Sequence, residues 1–137
     1  MAEPAVHVEY LDHEKLAIQV RQHHLVVDQP VDSEGDDTAP TPTELLVASL
    51  ASCVGFYAHR YLTRHHLSSD GLAVDADFAI GERPTRVGQI TVRITPPPSL
   101  PAEQRQAFLA VASHCTVHNT LHTPPAVTIG MADIVET

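Results

Sequence analysis

Cys53 and Cys115 are the only cysteines in this 137-residue chain, and they are its strongest candidates for nucleophilic or redox chemistry. The thiolate is the reactive form, so a working cysteine needs its pKa drawn down from about 8.5. Cys53 ends the run Leu45-Leu46-Val47-Ala48-Ser49-Leu50-Ala51-Ser52-Cys53. Burial in such a run raises a thiol pKa and makes the sulfur inert. A cation must therefore reach it from outside its own segment. Cys115 precedes a short helical stretch, Thr116 to Leu121. At a helix N-terminus the unpaired N–H groups lower a thiol pKa, which predicts the more reactive setting for Cys115. A disulfide scaffold is excluded as the basis of the fold. In a reducing compartment such a pair is redox-active, metal-binding or simply buried.

Two other chemistries compete. His114, His118 and His122 stand four apart beside Cys115, and histidine with cysteine suits zinc. Against this, Pro124 leaves little room for two full turns, and the three rings would span roughly 12 Å, too far for one ion. No metal and no cofactor are expected. A cysteine–histidine nucleophile for acyl transfer would need a base near Cys53. Tyr57 is a poor base, and His59 lies off the Cys53 face of a helix. His23-His24 and His65-His66 read as solvated ends.

The elements that must hold these residues follow from periodicity and turn chemistry. Val6, Val8 and Tyr10 alternate as one strand, Leu16, Ile18 and Val20 as a second, and His24 to Val27 form a third. Asp28 to Thr41, acidic and interrupted by Pro30, Gly35 and Pro40, is a loop. Thr41, Pro42 and Glu44 make a capping box with proline at the first helical position, opening a helix from Pro42 to His65. Through Phe56 that helix is apolar on nearly every side, so it needs cover all round, more than a single domain of this size supplies. A homodimer is the expected remedy. Leu72 to Ile80 and Val87 to Ile94 are strands, the second stopped by Pro96-Pro97-Pro98. Pro101 opens another helix, with Phe108, Leu109, Val111 and Ala112 on its buried side. Pro124-Pro125 ends the stretch after Cys115, and Val127 to Ile134 is a last strand. Runs of strands separated from runs of helices give an α+β fold in one domain, residues 1–137.

Apolar residues make up 43% and charged residues 18%, which suits a globular chain. The net charge of −9, without a basic stripe, argues against nucleic acid as a partner. The N-terminal residues lack a basic stretch leading into an apolar one, and no apolar run has the length of a bilayer span, so a cytoplasmic location and no membrane partner are expected.

Two segments resemble a known family. One is His24-Leu25-Val26-Val27-Asp28-Gln29-Pro30 followed by Pro42-Thr43-Glu44-Leu45-Leu46-Val47-Ala48-Ser49-Leu50-Ala51-Ser52-Cys53; the other is His114-Cys115-Thr116-Val117-His118-Asn119-Thr120-Leu121. They are similar to the P-x-E-L-L-x-A-x-L-x-x-C helix and the C-P-V-x-x-T-L segment of the OsmC/Ohr (osmotically inducible / organic hydroperoxide resistance) family, with Thr116 where the family has proline. The resemblance implies an OsmC-like intertwined homodimer with sheets wrapped around long central helices. It also implies a thiol peroxidase, in which Cys53 attacks a hydroperoxide and becomes a sulfenic acid, and Cys115 resolves it as a disulfide. A thiol reductant, in some members a lipoyl-bearing protein, restores the dithiol. The family's cation is an arginine of the N-terminal strands, often from the other subunit, and Arg21 is the only arginine before the helix. Many members carry a glutamate ten residues before the cysteine that pins this arginine. Here that position is Thr43, and Glu44 stands nine before, roughly 13.5 Å along the helix axis from Cys53. Glu44 could act only through the partner's arginine. Leu50, Phe56 and Tyr57 are candidates to line an apolar pocket for the peroxide.

Overall fold

Alternating apolar residues pair into antiparallel hairpins close to where the sequence places them. In the computed structural model, which describes residues 4–132, β1 (His7–Tyr10), β2 (Leu16–Val20) and β3 (His23–Val27) form a three-stranded sheet in the order β1-β2-β3. Val8 faces Ile18 across one ladder and Leu16 faces Val27 across the next. Helix α1 (Pro42–Arg64) starts on the expected capping box: the Glu44 N–H donates to Thr41 Oγ1 at 3.0 Å, and the Thr41 N–H donates to Glu44 Oε1 at 2.9 Å. β4 (Ala73–Gly81) and β5 (Arg86–Thr95) make a second, two-stranded sheet. A 3₁₀ turn at Ala102–Gln104 leads into α2 (Arg105–Ser113), and α3 (Thr116–His122) follows after Cys115.

The core lies between α1, the β4–β5 sheet, α2 and α3. Leu50, Val54, Ala58, Tyr61 and Leu62 of α1 are buried at helical spacing, against Phe108 and Ala112 of α2, Leu100 and Cys115. Val74, Ile90, Val92 and Ile94 pack against this cluster from the sheet. Tyr61 anchors the far end, its hydroxyl donating to Gln104 Oε1 at 2.9 Å and its ring edge-on to Phe108.

Four expectations need correction. The last strand is not formed over its described part: a strand needs a ladder partner, residues 127–132 pair with none of the described strands, and Ile129 is 91% exposed. Residues 133–134 of that expected strand lie outside the described residues. Leu109 and Val111 are exposed, since only the Phe108–Ala112 stripe of α2 meets α1. Cys53 is half-buried and not sealed in the helix. Finally, α1 is long and apolar enough, by length and composition alone, to cross a membrane; its buried stripe packs instead on the chain's own sheet and helices.

The Asp28–Thr41 loop is more ordered than its composition suggests. Asp28 is fully buried. Its Oδ2 accepts from the Thr38 N–H at 2.9 Å and from Thr38 Oγ1 at 2.7 Å, and its Oδ1 from the Gln29 N–H at 2.7 Å. The Thr38 N–H, with the Thr38 hydroxyl and the Gln29 and Asp36 N–H groups, holds this carboxyl far below its ordinary 3.8 despite the opposing effect of burial. Gly35 fits beneath the same loop, where a Cβ would stand 1.9 Å from the Gln29 carbonyl oxygen. A folded-state pKa below the unfolded value means the carboxylate stabilises the fold fully above pH 3.8, and that this stabilisation is lost as pH falls through the folded value. Asp28→Asn is expected to lower Tm by several degrees at neutral pH, with the gap from wild type narrowing as pH drops below 3.8. Thermal melts check this: a gap that stays constant down to about pH 2 would remove the carboxylate charge from the account.

Candidate active site

The two sulfurs, remote in sequence, meet where α1 and α3 cross. Cys53 lies midway along α1 on the flank of the buried stripe, since Leu50 and Val54 on either side of it point into the core. Cys115 is the N-cap of α3, with φ −72° and ψ 157°, and its Sγ accepts from the His118 N–H at 3.4 Å. Both cysteines are free thiols, and Cys53 packs against the core cluster that holds Cys115, near enough for its thiol to act on that of Cys115. Their environments differ: Cys115 is 0% exposed and Cys53 is partly open.

The expected acidification of Cys115 is overturned. Burial pushes its thiol up, the Cys53 thiol beside it pushes the same way, and the His118 and Val117 N–H groups oppose them without prevailing. A helix of seven residues offers only a small terminal charge, and desolvation of a thiolate outweighs it.

Arg21 and Glu44 are not brought to the sulfurs within the chain. Arg21 occupies the two-residue turn between β2 and β3, with φ +54°. It faces a hollow lined by Pro4, Ala5, His7 and Gln19, on a sheet that makes little contact with α1. Left-handed backbone costs a residue with a Cβ roughly 1 kcal/mol, and glycine would hold this turn more easily. Glu44 is exposed at the start of α1, with Oε1 engaged in the capping box.

The histidines are committed elsewhere. His114 and His118 turn Nδ1 to the carbonyls of Ala110 and Ser113, and His59 is bonded to Ser69 Oγ at 2.7 Å. Among the described residues no three His, Cys, Asp or Glu side chains are grouped to hold one metal ion. Of the three candidate pocket residues, Leu50 lines an apolar cleft of about 500 Å³ with Leu46, Val54, Ile90, Leu109 and Leu121; Phe56 and Tyr57 do not, and neither cysteine borders it.

Sequence reasoning missed Asp28 and the hydroxyl pair Tyr57–Thr116, whose oxygens lie 2.8 Å apart. The only available signal for the second was a threonine where the resembling motif has proline.

A free dithiol linking the middle of a long helix to the cap of a short one, on two small antiparallel sheets, is an α+β arrangement of the OsmC-like type. The chain belongs to the OsmC-like protein family, whose model matches residues 35–130. Solved structures share the fold. A protein of Psychrobacter arcticus 273-4, described as a putative osmotic stress induced and detoxification response protein, is 24% identical with TM-score 0.79, covering 88% of this chain and 89% of that one. An OsmC-like protein of Mycoplasma pneumoniae is 15% identical with TM-score 0.75, covering 90% and 91%. A Legionella pneumophila protein described as an organic hydroperoxide resistance protein OsmC is 15% identical with TM-score 0.62, covering 88% and 91%. No curated protein matches the sequence significantly.

Proposed function

We propose that this protein is a thiol-dependent peroxidase that reduces organic hydroperoxides through Cys53 and Cys115, and that it works as a homodimer. The observation that carries this reading is the contact between two free thiols of unequal exposure, one open to a substrate and one sheltered. The Cys53 thiolate attacks one peroxide oxygen, the O–O bond breaks, and the alkoxide leaves and is protonated to the alcohol. The Cys53 sulfenic acid is then attacked by Cys115, which forms the S–S bond and releases water. A dithiol reductant returns both cysteines to thiols and is itself oxidised; a lipoyl-bearing protein has that chemistry. The family name and the hydroperoxide-resistance description of one structural neighbour support this class of reaction.

The homodimer answers two needs of the single chain. Apolar side chains are left uncovered on the N-terminal sheet (Val8, Tyr10, Leu25), on α1 (Leu46, Phe56) and on α2 (Leu109), and Tyr10 is 68% exposed. A second copy would cover them. It would also bring its own Arg21 towards Cys53, where among the described residues no lysine or arginine bonds either sulfur. A guanidinium there would hold the thiolate and orient the peroxide. In this proposal Glu44 acts only by steering that arginine.

The raised pKa of Cys115 and the lack of a cation beside Cys53 in one chain favour a second reading, an OsmC-fold binding or stress protein without peroxidase activity. Mass spectrometry after brief exposure to an organic hydroperoxide separates the two. A Cys53–Cys115 disulfide is expected; both thiols still free at excess peroxide would reject the peroxidase and leave the binding protein.

A further inference from the structure

Tyr57 and Thr116 span the same gap as the two sulfurs. Tyr57 stands one turn beyond Cys53 on α1, and Thr116 follows Cys115 as the first residue of α3. Their hydroxyls meet at 2.8 Å, the one side-chain hydrogen bond between α1 and α3 among the described residues. We propose that this pair is a positioning latch, holding Cys115 at attacking distance from Cys53 while the disulfide closes. The inference rests on the dithiol reading above and adds to it the residues that set the closing rate.

Three features of the site call for such a latch. The resolving thiol is buried and its ionisation is disfavoured, so little of it is thiolate at neutral pH. Its rate must come from proximity, which is lost over displacements of about 1 Å. Helix α3 is also too short to hold its place by helical propensity. Every residue from 118 to 132 is exposed; besides Val117, which packs on the core, the side-chain ties of α3 lead back to the end of α2, His118 to the Ser113 carbonyl and Asn119 to the His114 carbonyl, and these bonds do not reach α1. The Tyr57 ring, by contrast, is half-buried and set edge-on against Phe56 at 5.7 Å, which makes it a firm post. Proline at position 116 would suit the first turn of a helix but brings no hydroxyl. Threonine forgoes the fixed φ and gains a tie to α1.

In the closing step the Cys115 sulfur attacks the sulfur of the Cys53 sulfenic acid. The S–S bond forms, the S–O bond breaks, and hydroxide leaves with the Cys115 proton as water. The geometry of that attack can be tested without peroxide. The more open Cys53 is converted to its mixed disulfide with thionitrobenzoate, and attack by Cys115 then releases the coloured thionitrobenzoate anion. Stopped-flow absorbance is recorded for wild type, Tyr57→Phe, Thr116→Ala, Thr116→Pro, Thr116→Ser and the Tyr57→Phe/Thr116→Ala double variant, each with its Tm.

Closure should slow roughly five- to tenfold in Tyr57→Phe, Thr116→Ala and Thr116→Pro, the loss expected of one neutral hydrogen bond. The double variant should be no slower than either single one, as for two ends of one interaction. Thr116→Ser should stay near wild type, and the initial reaction at Cys53 should be unchanged throughout. Wild-type closing rates in both Tyr57→Phe and Thr116→Ala, or losses that add in the double variant, would overturn the latch. If wild type closes quickly but never reacts with a hydroperoxide, the peroxidase reading fails and the latch stands. If it reacts with hydroperoxide and the variants close normally, the latch alone fails.

Discussion

Cys53→Ser is expected to reduce turnover of an organic hydroperoxide to the uncatalysed background. A serine hydroxyl stays protonated at any pH the protein survives, and the two candidate bases are engaged elsewhere, Tyr57 with Thr116 and His59 with Ser69. Cys115→Ser should behave differently. Cys53 would still be oxidised, so one equivalent of peroxide is consumed in a burst. Recycling then stops, and the sulfenic acid becomes accessible to a dimedone-type trap or to further oxidation. The contrast between no burst and a burst without turnover assigns the two roles separately. It also guards against a trivial reading, because both substitutions are small and conservative in volume. If Cys53→Ser keeps its activity, the peroxidase assignment is wrong; if Cys115→Ser recycles normally, Cys115 has no part in it.

The second large effect concerns Arg21. In the proposed mechanism its guanidinium stabilises both the thiolate and the departing oxygen, so its loss should lower kcat/KM roughly 10²–10³-fold, the usual consequence of removing one preorganised donor. Arg21→Gly is the informative variant. The turn holds φ +54° at this position, a conformation glycine adopts without strain, so stability should be preserved while the guanidinium is gone. Whether the arginine serves its own chain or its partner is read from mixed dimers. Alone, Cys53→Ser chains should be inactive and Arg21→Gly chains nearly so. Refolded together, they should regain activity, because a heterodimer sets the intact Cys53 of one chain beside the intact Arg21 of the other. An arginine acting within its own chain would leave the mixture dead. Unchanged kcat/KM in Arg21→Gly would take the residue out of the site.

Much of the architecture was legible because local chemistry decides it. The capping box at Thr41–Glu44 fixes where α1 begins, proline at 124 and 125 limits α3, and period-two alternation marks β1, β2, β4 and β5. These signals need only near neighbours. Over its described part, residues 127–132, the last strand failed for the opposite reason: the segment alternates well enough, but a strand exists only if another edge pairs with it, and that is not written in the segment itself. The burial of α2 was misjudged likewise, since Leu109 and Val111 are apolar but stand off the line of contact with α1.

The composition of the site was determined by the sequence: two cysteines, one in a long apolar helix and one before a short helix, with a single arginine ahead of the long helix. Their ionisation was decided only in three dimensions. A thiol responds to how much water reaches it and to which dipoles face it, and both depend on chain segments far away in sequence. Cys115, at a helix start, reads as acidified from its neighbours alone, yet it is buried against α1 and its thiol is pushed up. Cys53, set in hydrocarbon, reads as sealed, yet it lies at the edge of the buried stripe and stays partly open. Asp28 reads as one more acid in a polar loop, and the tertiary structure folds that loop around it.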